Sequence, residues 1–325
     1  MISVSQAVSI IQDHLKGRII ESAPVANVFR HVLATDIISP INLPPFDNSA
    51  MDGYAIQYAD LNKGPLEVID SIAAGDNKNA AVTPGKAARI FTGAKMPAGA
   101  DTVVMQEHVQ VNDNKITIHN TEIQKGSNVR LKGVQIQRGE IALHTNTILN
   151  PAAIGFIASM GIQSVEVFRK PKIKILVTGN ELLQAGEMLQ DGKIFESNAV
   201  MLQAALHDIG IAIDAVYYIK DDKAALIQHL EKLHADCDVI IITGGVSVGD
   251  HDIVNQSKAN AHFTTFFHKV KQKPGKPFLF GQYRNTTVFG LPGNPAAVLS
   301  CYYVYILPWM QYFCGLPITH TSMQL

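Results

Sequence analysis

The sequence predicts a multidomain α/β plus β protein, with a parallel-sheet α/β domain and a β-rich lobe inserted in a small helical linker domain. Three observations lead to this fold class. Ser3 and Gln6 form a capping-box pattern ahead of apolar residues at helical spacing. Residues 23–141 contain short β-prone runs broken by Gly, Pro, Asn and Asp. After Pro171, strand-like and helix-like segments alternate, which favours a parallel sheet.

The domain boundaries follow from a second helix signal beyond the β-rich lobe. Asn150 and Pro151 supply an N-cap and a first helical residue, and Gly161 ends the apolar stretch after them. Because the helices on either side of the lobe would pack together, the first domain is predicted to be discontinuous. The predicted regions are a helical linker domain at 1–22 and 142–170, the β-rich lobe at 23–141, the α/β domain at 171–315 and a tail at 316–325.

Composition narrows the class of protein. The 325 residues are 47% hydrophobic, which is enough for more than one packed core. A formal net charge of -1 gives no field that would attract nucleic acid or an anionic membrane, so neither is an expected partner. Three cysteines without metal-type spacing indicate buried thiols in a reducing compartment. The sequence has no secretory signal and no apolar run of bilayer length, so we expect a cytoplasmic protein.

The α/β region predicts where ligands would bind. Strands are expected at 172–178, 215–219 and 238–243, and helices at 197–207 and 223–234. Ligands of parallel sheets bind beyond the carboxyl ends of the strands. The loops that follow these strands are therefore the expected location of the functional residues.

A glycine-rich segment at 243–252 follows the last of these strands. Its glycines allow the backbone to approach a ligand closely and leave N–H groups free to face an anion. The glycine spacing alone is also typical of an ordinary turn from strand to helix. Asp250 and Asp252 favour a phosphate bridged by Mg2+, because that ion uses one or two carboxylates together with substrate phosphates.

Asp221 and Asp222 end another predicted strand. They are placed to add carboxylates to the same cation site. Aspartate is equally favoured as the N-cap of the helix that follows directly. The sequence leaves these two interpretations open.

Four lysines occur in the nine residues 268–276. Alternation predicts that Lys269, Lys271 and Lys273 share one face of an extended strand. A solvated lysine edge that blocks strand pairing is the alternative. Beside metal-type aspartates, the run favours the anion-neutralising half of a phosphate or oxyanion site. Asn294 and Pro295 begin the final helix, whose free N–H groups would add a third anion-binding loop.

Six ordered motifs carry a resemblance to one family. They are DNSAMDGYA at 47–55, FTGA at 91–94, TGNEL at 178–182, GGVSVG at 244–249, KPGKP at 273–277 and LPGNP at 291–295. On these motifs the sequence resembles MoeA proteins and the gephyrin E domain, a family of molybdopterin molybdenumtransferases. The resemblance implies a molybdopterin-binding-like α/β domain and insertion of molybdate into adenylylated molybdopterin, with Mg2+ and release of AMP. It also implies a homodimer whose site is shared between subunits, with molybdopterin adenylyltransferase and molybdoenzyme-maturation proteins as further partners.

The resemblance also implies roles for single residues. The catalytic positions would be Asp52, Thr92, Glu181, Lys269 and Lys273. The positions that bind the pterin substrate would be Gly244, Gly245, Ser247, Lys276, Pro292 and Asn294. The metal ligands would be Asp221 and Asp252.

Three departures from the family pattern keep other functions open. Val134 and Gln135 stand where the family usually has Glu-Asp, so one expected carboxylate is missing, and Asn180 stands where some relatives have Asp. The chain stops at Leu325, before the family's usual C-terminal β domain. A catalytically weakened molybdopterin-binding or scaffold homologue is therefore an alternative. A nucleotide-processing enzyme on the same fold is another, because a fold does not determine chemistry.

Overall fold

A computed structural model describes residues 1–120, 122–245 and 262–318. The chain divides into two compact units. The α/β unit comprises Met1–Thr35, Thr145–Gly155 and Gln163–Leu325, and the β unit comprises Asp36–His144 and Phe156–Ile162. The predicted fold class, α/β plus β, is confirmed. The boundaries of the linker domain and of the tail stay a prediction.

The helices in the described residues are α1 Val4–Asp13, α2 Pro151–Ser159, α3 Asn198–Asp208, α4 Lys223–Leu233, α5 Pro295–Cys301 and α6 Leu307–Phe313, with a π-helical segment at Tyr302–Ile306. Short 3-10 segments lie at Val25–Asn27, Tyr58–Asp60, Gln106–His108 and His234–Asp236. The capping box at the start of α1 is confirmed. The Ser3 hydroxyl accepts the Gln6 N–H, and the Gln6 side chain accepts the Ser3 N–H at 2.9 Å. Asn150 begins α2 as expected, since its side chain accepts the Ala153 N–H at 2.9 Å.

The first strands along the chain are β1 Ile20–Pro24, β2 Ile37–Ile38, β3 Asn48–Ser49, β4 Gly53–Ile56, β5 Leu66–Ile72, β6 Lys86–Ile90, β7 Thr102–Met105, β8 Val109–Asn112, β9 Lys115–Ile118, β10 Val129–Arg130, β11 Ile141–Leu143 and β12 Ser164–Phe168. The later strands are β13 Ile173–Thr178, β14 Leu182–Leu183, β15 Ile194–Phe195, β16 Ala215–Ile219, β17 Val239–Thr243, β18 Phe263–Lys269, β19 Pro277–Tyr283 and β20 Thr286–Leu291.

One six-stranded sheet organises the α/β unit, in the order β16-β13-β17-β20-β19-β18. β16, β13, β17 and β20 run parallel, as the sequence predicts. β19 is antiparallel to β20, and β18 is antiparallel to β19, so the sheet also carries an antiparallel portion. The core lies on both faces, because successive side chains alternate. Ile175 packs with Leu202 of α3 on one face, and Leu176 packs with Leu226 of α4 on the other.

A second six-stranded sheet, in the order β7-β4-β6-β5-β9-β8, forms the β unit. Its neighbours pair antiparallel except β5 and β6, which are parallel. Tyr54 and Val104 belong to the apolar cluster on one side, and Ala55 and Val103 to the cluster on the other. β4 and β6 pair antiparallel from Gly53 and Ile90, so Asp52, just before β4, and Thr92, just after β6, lie at the same end of this sheet.

The cysteines only partly match expectation. Cys301 and Cys314 are buried, but Cys237 is partly exposed, so the prediction of three buried thiols is wrong for that residue. Burial raises the pKa of the Cys237 thiol to about 11. Within the described part of the chain, none of the helices has the length and apolar character needed to cross a lipid bilayer.

Candidate functional site

The carboxyl ends of the parallel strands form one edge of the α/β sheet. The register pairs Thr178 with Ile219 and Thr243 with Leu291, so these strands stop at one level. β18 runs in the same direction as β20 and also ends there, at Lys269. We call the loops that follow these strands the carboxyl edge. The candidate residues that the structure brings to it are Glu181, Asp221, Gly244, Gly245, Lys269, Lys273, Lys276, Pro292 and Asn294.

The candidates are spread along this edge. Asp221 follows β16 and Lys269 ends β18, which are the two outermost strands of the sheet. Five strand spacings separate these strands, or about 24 Å at the usual interstrand distance. Gly244 and Pro292 follow the strands between them. This arrangement suits an extended ligand with more than one anionic group better than a single compact ion.

The glycine loop after β17 passes close to the end of β13, while the predicted close approach to a ligand stays a prediction. Gly244 and Gly245 have φ angles of 84° and 60°, a region that L side chains rarely adopt. A Cβ on Gly244 would lie 2.1 Å from the Thr178 carbonyl oxygen, so no other residue fits. Two further candidates in this segment, Ser247 and Asp252, lie outside the described residues.

The two adjacent aspartates have different surroundings, and the structure confirms the N-cap interpretation for Asp222, while a cation site stays a prediction. Asp222 is the N-cap of α4, and its carboxylate accepts the Ala225 N–H at 2.7 Å. Asp221 is exposed, and its Oδ2 accepts a long hydrogen bond, 3.4 Å, from the Asn180 N–H and none from any other described residue. Glu181 follows Asn180 and is also exposed. Asp222 is therefore a structural cap, while Asp221 keeps a carboxylate available at the edge.

The lysines do not share an extended strand, so that prediction is wrong. β18 stops at Lys269, and residues 271–276 form the turn into β19. Lys273 and Lys276 are exposed there and, with Lys271, line an open pocket of about 310 Å³. Among the described residues, no carboxylate lies within 4.0 Å of any of these lysines. The turn is thus a cluster of cations that no carboxylate of the described residues neutralises.

Packing against α5 and the π-helical segment holds the lysine turn in place. Gly275 has a φ angle of 101°, and a Cβ on it would lie 2.8 Å from the Cys301 sulfur. The Tyr305 hydroxyl donates to Gln272 Oε1 at 2.5 Å, and Gln272 Nε2 donates to the Pro274 carbonyl at 2.9 Å. The lysines therefore extend from a backbone that is fixed to the core.

A third loop follows β20. Asn294 caps α5, with its side chain accepting the Ala297 N–H at 3.2 Å. This hydrogen bond confirms the predicted capping role of Asn294. It also occupies the side-chain oxygen of a residue that was predicted to bind the substrate. Sequence reasoning missed Asn198, whose side chain donates to the Gly293 carbonyl in this loop at 2.9 Å. The only local signal was its position at the start of α3, where an asparagine is easily taken for a cap.

In the β unit, Asp52 and Thr92 form a hydrogen-bonded pair. Asp52 Oδ1 accepts the backbone N–H of Thr92 at 2.8 Å and its hydroxyl at 2.7 Å. These bonds, the hydroxyl first, lower the pKa of the Asp52 carboxyl, and the nearby Arg89 guanidinium adds to the effect. Sequence reasoning assigned no role to Arg89, whose guanidinium carbon lies 5.0 Å from the Tyr54 ring centroid and 4.9 Å from that of Phe91. Its Nη1 also donates to the Gly53 carbonyl at 3.1 Å.

Gln135, which stands where the family usually has a carboxylate, is exposed in the β unit, and its N–H donates to the Leu43 carbonyl at 2.9 Å. The two units separate the candidate residues, since Asp52 and Thr92 belong to the β unit and the others to the α/β unit. Over residues 1–120, 122–245 and 262–318, no group of three or more His, Cys, Asp or Glu side chains is arranged to hold a metal ion.

Comparison with known proteins identifies the family. The family described as "MoeA N-terminal region (domain I and II)" matches residues 2–161, and "Probable molybdopterin binding domain" matches residues 174–312. A curated molybdopterin molybdenumtransferase of Nostoc sp. is 39% identical over 294 residues, covering 88% of this chain and 67% of its own length. The chain belongs to the MoeA family. This confirms the resemblance seen in the six sequence motifs.

A second curated relative and a solved structure are also similar to this chain. The molybdopterin molybdenumtransferase of Haemophilus influenzae is 36% identical over 279 residues, covering 85% of this chain and 69% of its own length. A crystal structure of the molybdopterin biosynthesis MoeA protein from Pyrococcus horikoshii superposes with a TM-score of 0.77 at 30% identity, covering 97% of this chain and 80% of the other. The MoeA fold thus extends over both units of the chain.

Proposed function

We propose that this chain inserts molybdate into adenylylated molybdopterin and releases AMP, a step of molybdenum cofactor biosynthesis. The observation that carries the proposal is the carboxyl edge, where a glycine loop and a turn of lysines that form no ion pair with a described residue follow strands of one sheet. Similarity to molybdopterin molybdenumtransferases over 88% of the chain supports this choice of substrate. An adenylylated pterin is long enough to use several loops of an edge this wide.

Electrostatic repulsion between the two reactants opposes the reaction, and the lysine turn reduces this repulsion. Molybdate and the pyrophosphate group of the substrate are both anions. Each pair of unit charges 4 Å apart repels by about 4 kcal/mol at an effective dielectric constant near 20. Lys269, Lys273 and Lys276 supply positive charge without a carboxylate partner among the described residues. In this proposal Lys269 and Lys273 receive molybdate or neutralise the pyrophosphate, and Lys276 contacts the substrate beside them.

The loops after β17 and β20 bind the rest of the substrate. The N–H groups of Gly244 and Gly245 face the phosphates, since the backbone there has no side chain to shield it. Ser247, in the same segment, and Pro292 and Asn294, in the neighbouring loop, complete the contacts. Glu181 lies at the same edge and orients water or oxyanion.

Mg2+ fits the donor set at one end of this edge. Asp221 is an exposed carboxylate that accepts one long hydrogen bond from the described residues, and Mg2+ binds through one or two carboxylates together with substrate phosphates. Asp221 and Asp252 would hold the ion. When bound, it would supply positive charge that neutralises phosphate oxygens. Asp52, kept ionised by Thr92, is proposed to position oxyanion, water or metal.

The full site is proposed to form in a homodimer and to be shared between subunits. Molybdopterin adenylyltransferase, which would deliver the adenylylated substrate, and molybdoenzyme-maturation proteins, which would accept the product, are the proposed partners. These partners follow from the chemistry of the reaction, because an activated pterin must be made before this step and a finished cofactor must be passed on after it.

A molybdopterin-binding or scaffold role remains the alternative function, and Gln135 is the observation behind it. The transferase is favoured because the curated relatives carry that name. An AMP-release assay separates the two. The purified chain is given adenylylated molybdopterin and Mg2+, with and without molybdate. Release of AMP that depends on molybdate supports the transferase, whereas tight substrate binding without release supports the scaffold.

A further inference from the structure

Asn198, the first residue of α3, connects two loops of the carboxyl edge. Its side chain is 9% exposed. Its Nδ2 donates to the Thr243 hydroxyl at 2.9 Å and to the Gly293 carbonyl at 2.9 Å. Thr243 directly precedes the glycine loop, and Gly293 lies in the loop after β20. One buried carboxamide therefore ties together the starts of two proposed substrate-binding loops.

The orientation of this carboxamide is fixed by its partners. A backbone carbonyl accepts only, so the atom that faces Gly293 must be the NH2 group. The other atom, Oδ1, is buried and has no hydrogen-bond partner in the part of the chain that the structure describes. A buried acceptor without a partner costs about 1–3 kcal/mol. Such a group is uncommon in native proteins and calls for an explanation.

Capping does not explain Asn198. α3 has Ser197 as its N-cap, and that side chain makes no capping hydrogen bond. The Asn198 side chain is instead directed at groups 45 and 95 residues away along the chain. An apolar residue of similar size would fill the same space without an unpaired buried oxygen. The polar contacts, rather than the packing volume, therefore account for an asparagine here.

We propose that Asn198 is a positioning residue, which holds the loops 244–245 and 292–294 at a fixed separation. The proposal rests on the transferase function proposed above. Loops that are held in place before the substrate arrives present their N–H groups without further ordering, which strengthens binding. Because these groups contact phosphates in the substrate as well as in the transition state, losing the link should raise KM more than it lowers kcat.

The test compares Asn198→Ala with Asn198→Asp and with a matched control. The Asp variant keeps the shape but, when ionised, cannot donate to Gly293. Thr286→Val is the control, because Thr286 is 1% exposed and its hydroxyl donates to the His234 carbonyl at 2.7 Å, at the opposite end of β20. It removes a buried hydrogen bond from the same sheet without touching the carboxyl edge.

Kinetics give the first readout. Asn198→Ala and Asn198→Asp should raise the KM for adenylylated molybdopterin about tenfold, the equivalent of about one hydrogen bond, with kcat within about twofold of wild type. Thr286→Val should leave both constants unchanged. The proposal is overturned if the Asn198 variants have the same KM and kcat as the wild type. It is also overturned if Thr286→Val raises KM as much as the Asn198 variants do.

Amide hydrogen exchange gives a second readout that does not depend on activity. The amides of Gly244, Gly245, Gly293 and Asn294 should exchange about tenfold faster in Asn198→Ala, for the loss of about one hydrogen bond, but not in Thr286→Val. If the wild type releases no AMP, faster exchange still supports the link between the loops while the transferase function fails. If the Ala variant does not fold, Asn198→Asp takes its place. Unchanged exchange in the folded variants overturns the proposal.

Discussion

Thr92 donates two hydrogen bonds to a single carboxylate oxygen of Asp52, from its backbone N–H at 2.8 Å and from its hydroxyl at 2.7 Å. Both donors favour the ionised form, so the pKa of Asp52 lies below its ordinary value of 3.8. The second carboxylate oxygen accepts no hydrogen bond from a described residue. Asp52 therefore presents a fixed negative charge, which suits contact with a cation or with water.

Thr92→Val tests this pair. Removing the hydroxyl leaves one donor, so the pKa of Asp52 should rise towards 3.8, as measured by NMR titration of the carboxyl carbon. Because the folded pKa is lowered, the stabilisation is complete above 3.8 and is lost as the pH falls through the folded pKa. The wild type should lose stability over that acid range more steeply than the variant. Thr92→Ser, which keeps the hydroxyl, is the control, and equal pKa values in all three proteins would contradict the assignment.

Asp221 and Asp222 should give opposite results on substitution. Asp222→Ala removes the N-cap of α4 and should lower the free energy of unfolding by about 1 kcal/mol, with little effect on AMP release. Asp221→Ala should leave stability unchanged, because that carboxylate is exposed, but should weaken the dependence of AMP release on Mg2+. Urea unfolding and a magnesium titration of the assay measure the two effects. If Asp221→Ala lowered the free energy of unfolding and Asp222→Ala weakened the dependence on Mg2+, the assigned roles would be wrong.

Gly244→Ala should damage the glycine loop. A Cβ would lie 2.1 Å from the Thr178 carbonyl oxygen, and the φ angle of 84° is unfavourable for alanine. We expect a loss of about 1–3 kcal/mol in the free energy of unfolding, together with weaker substrate binding. Gly293→Ala is the matched control, since a Cβ there would meet no heavy atom within 4 Å. If both variants lost a similar free energy of unfolding, the close contact with Thr178 would not be the reason for a glycine at position 244.

Lys273→Met tests the anion-neutralising role of the lysine turn. The side chain is exposed, so the fold should be retained. If Lys273 contacts molybdate or pyrophosphate, kcat/KM for molybdate-dependent AMP release should fall about tenfold to a hundredfold, the range for a hydrogen bond to a charged group. Lys271→Met, from the same pocket, is the control for general positive charge and should change the rate much less. Equal losses would indicate a diffuse electrostatic effect instead.

The proposed homodimer makes the activity depend on protein concentration. A site shared between subunits is lost when they separate, so the specific activity should fall on dilution. Analytical ultracentrifugation over the same range should show a matching change from dimer to monomer. Constant specific activity from a chain that sediments as a monomer would rule out the shared site.

Local signals in the sequence predict much of the fold. The capping box of Ser3 and Gln6 and the N-cap at Asn150 act over three residues, so they can be identified without knowledge of the rest of the chain. The apolar runs of β13 and β17 predict strands buried on both faces, which the structure shows. Gly244 has a positive φ angle and lies close to the Thr178 carbonyl, where only glycine fits, whereas the predicted contact of this loop with a ligand stays a prediction.

Features that depend on distant contacts could not be predicted. The lysines were expected to alternate along a strand, but the strand ends at Lys269 and the turn is fixed by Cys301 and Tyr305, which lie about thirty residues further along. The role of Asn198 was missed because its two partners are 45 and 95 residues away. Arg89 was assigned no role, because only the fold places the rings of Tyr54 and Phe91 near it.

A crystal structure of the chain soaked with AMP and molybdate would show whether the carboxyl edge binds the substrate. We expect the AMP phosphate within hydrogen-bonding distance, about 2.7–3.2 Å, of the N–H groups of Gly244 or Gly245. Molybdate should lie within reach of Lys269 or Lys273. Ligands bound at the opposite end of the sheet, beside Thr286, with none at the carboxyl edge, would contradict the proposed site.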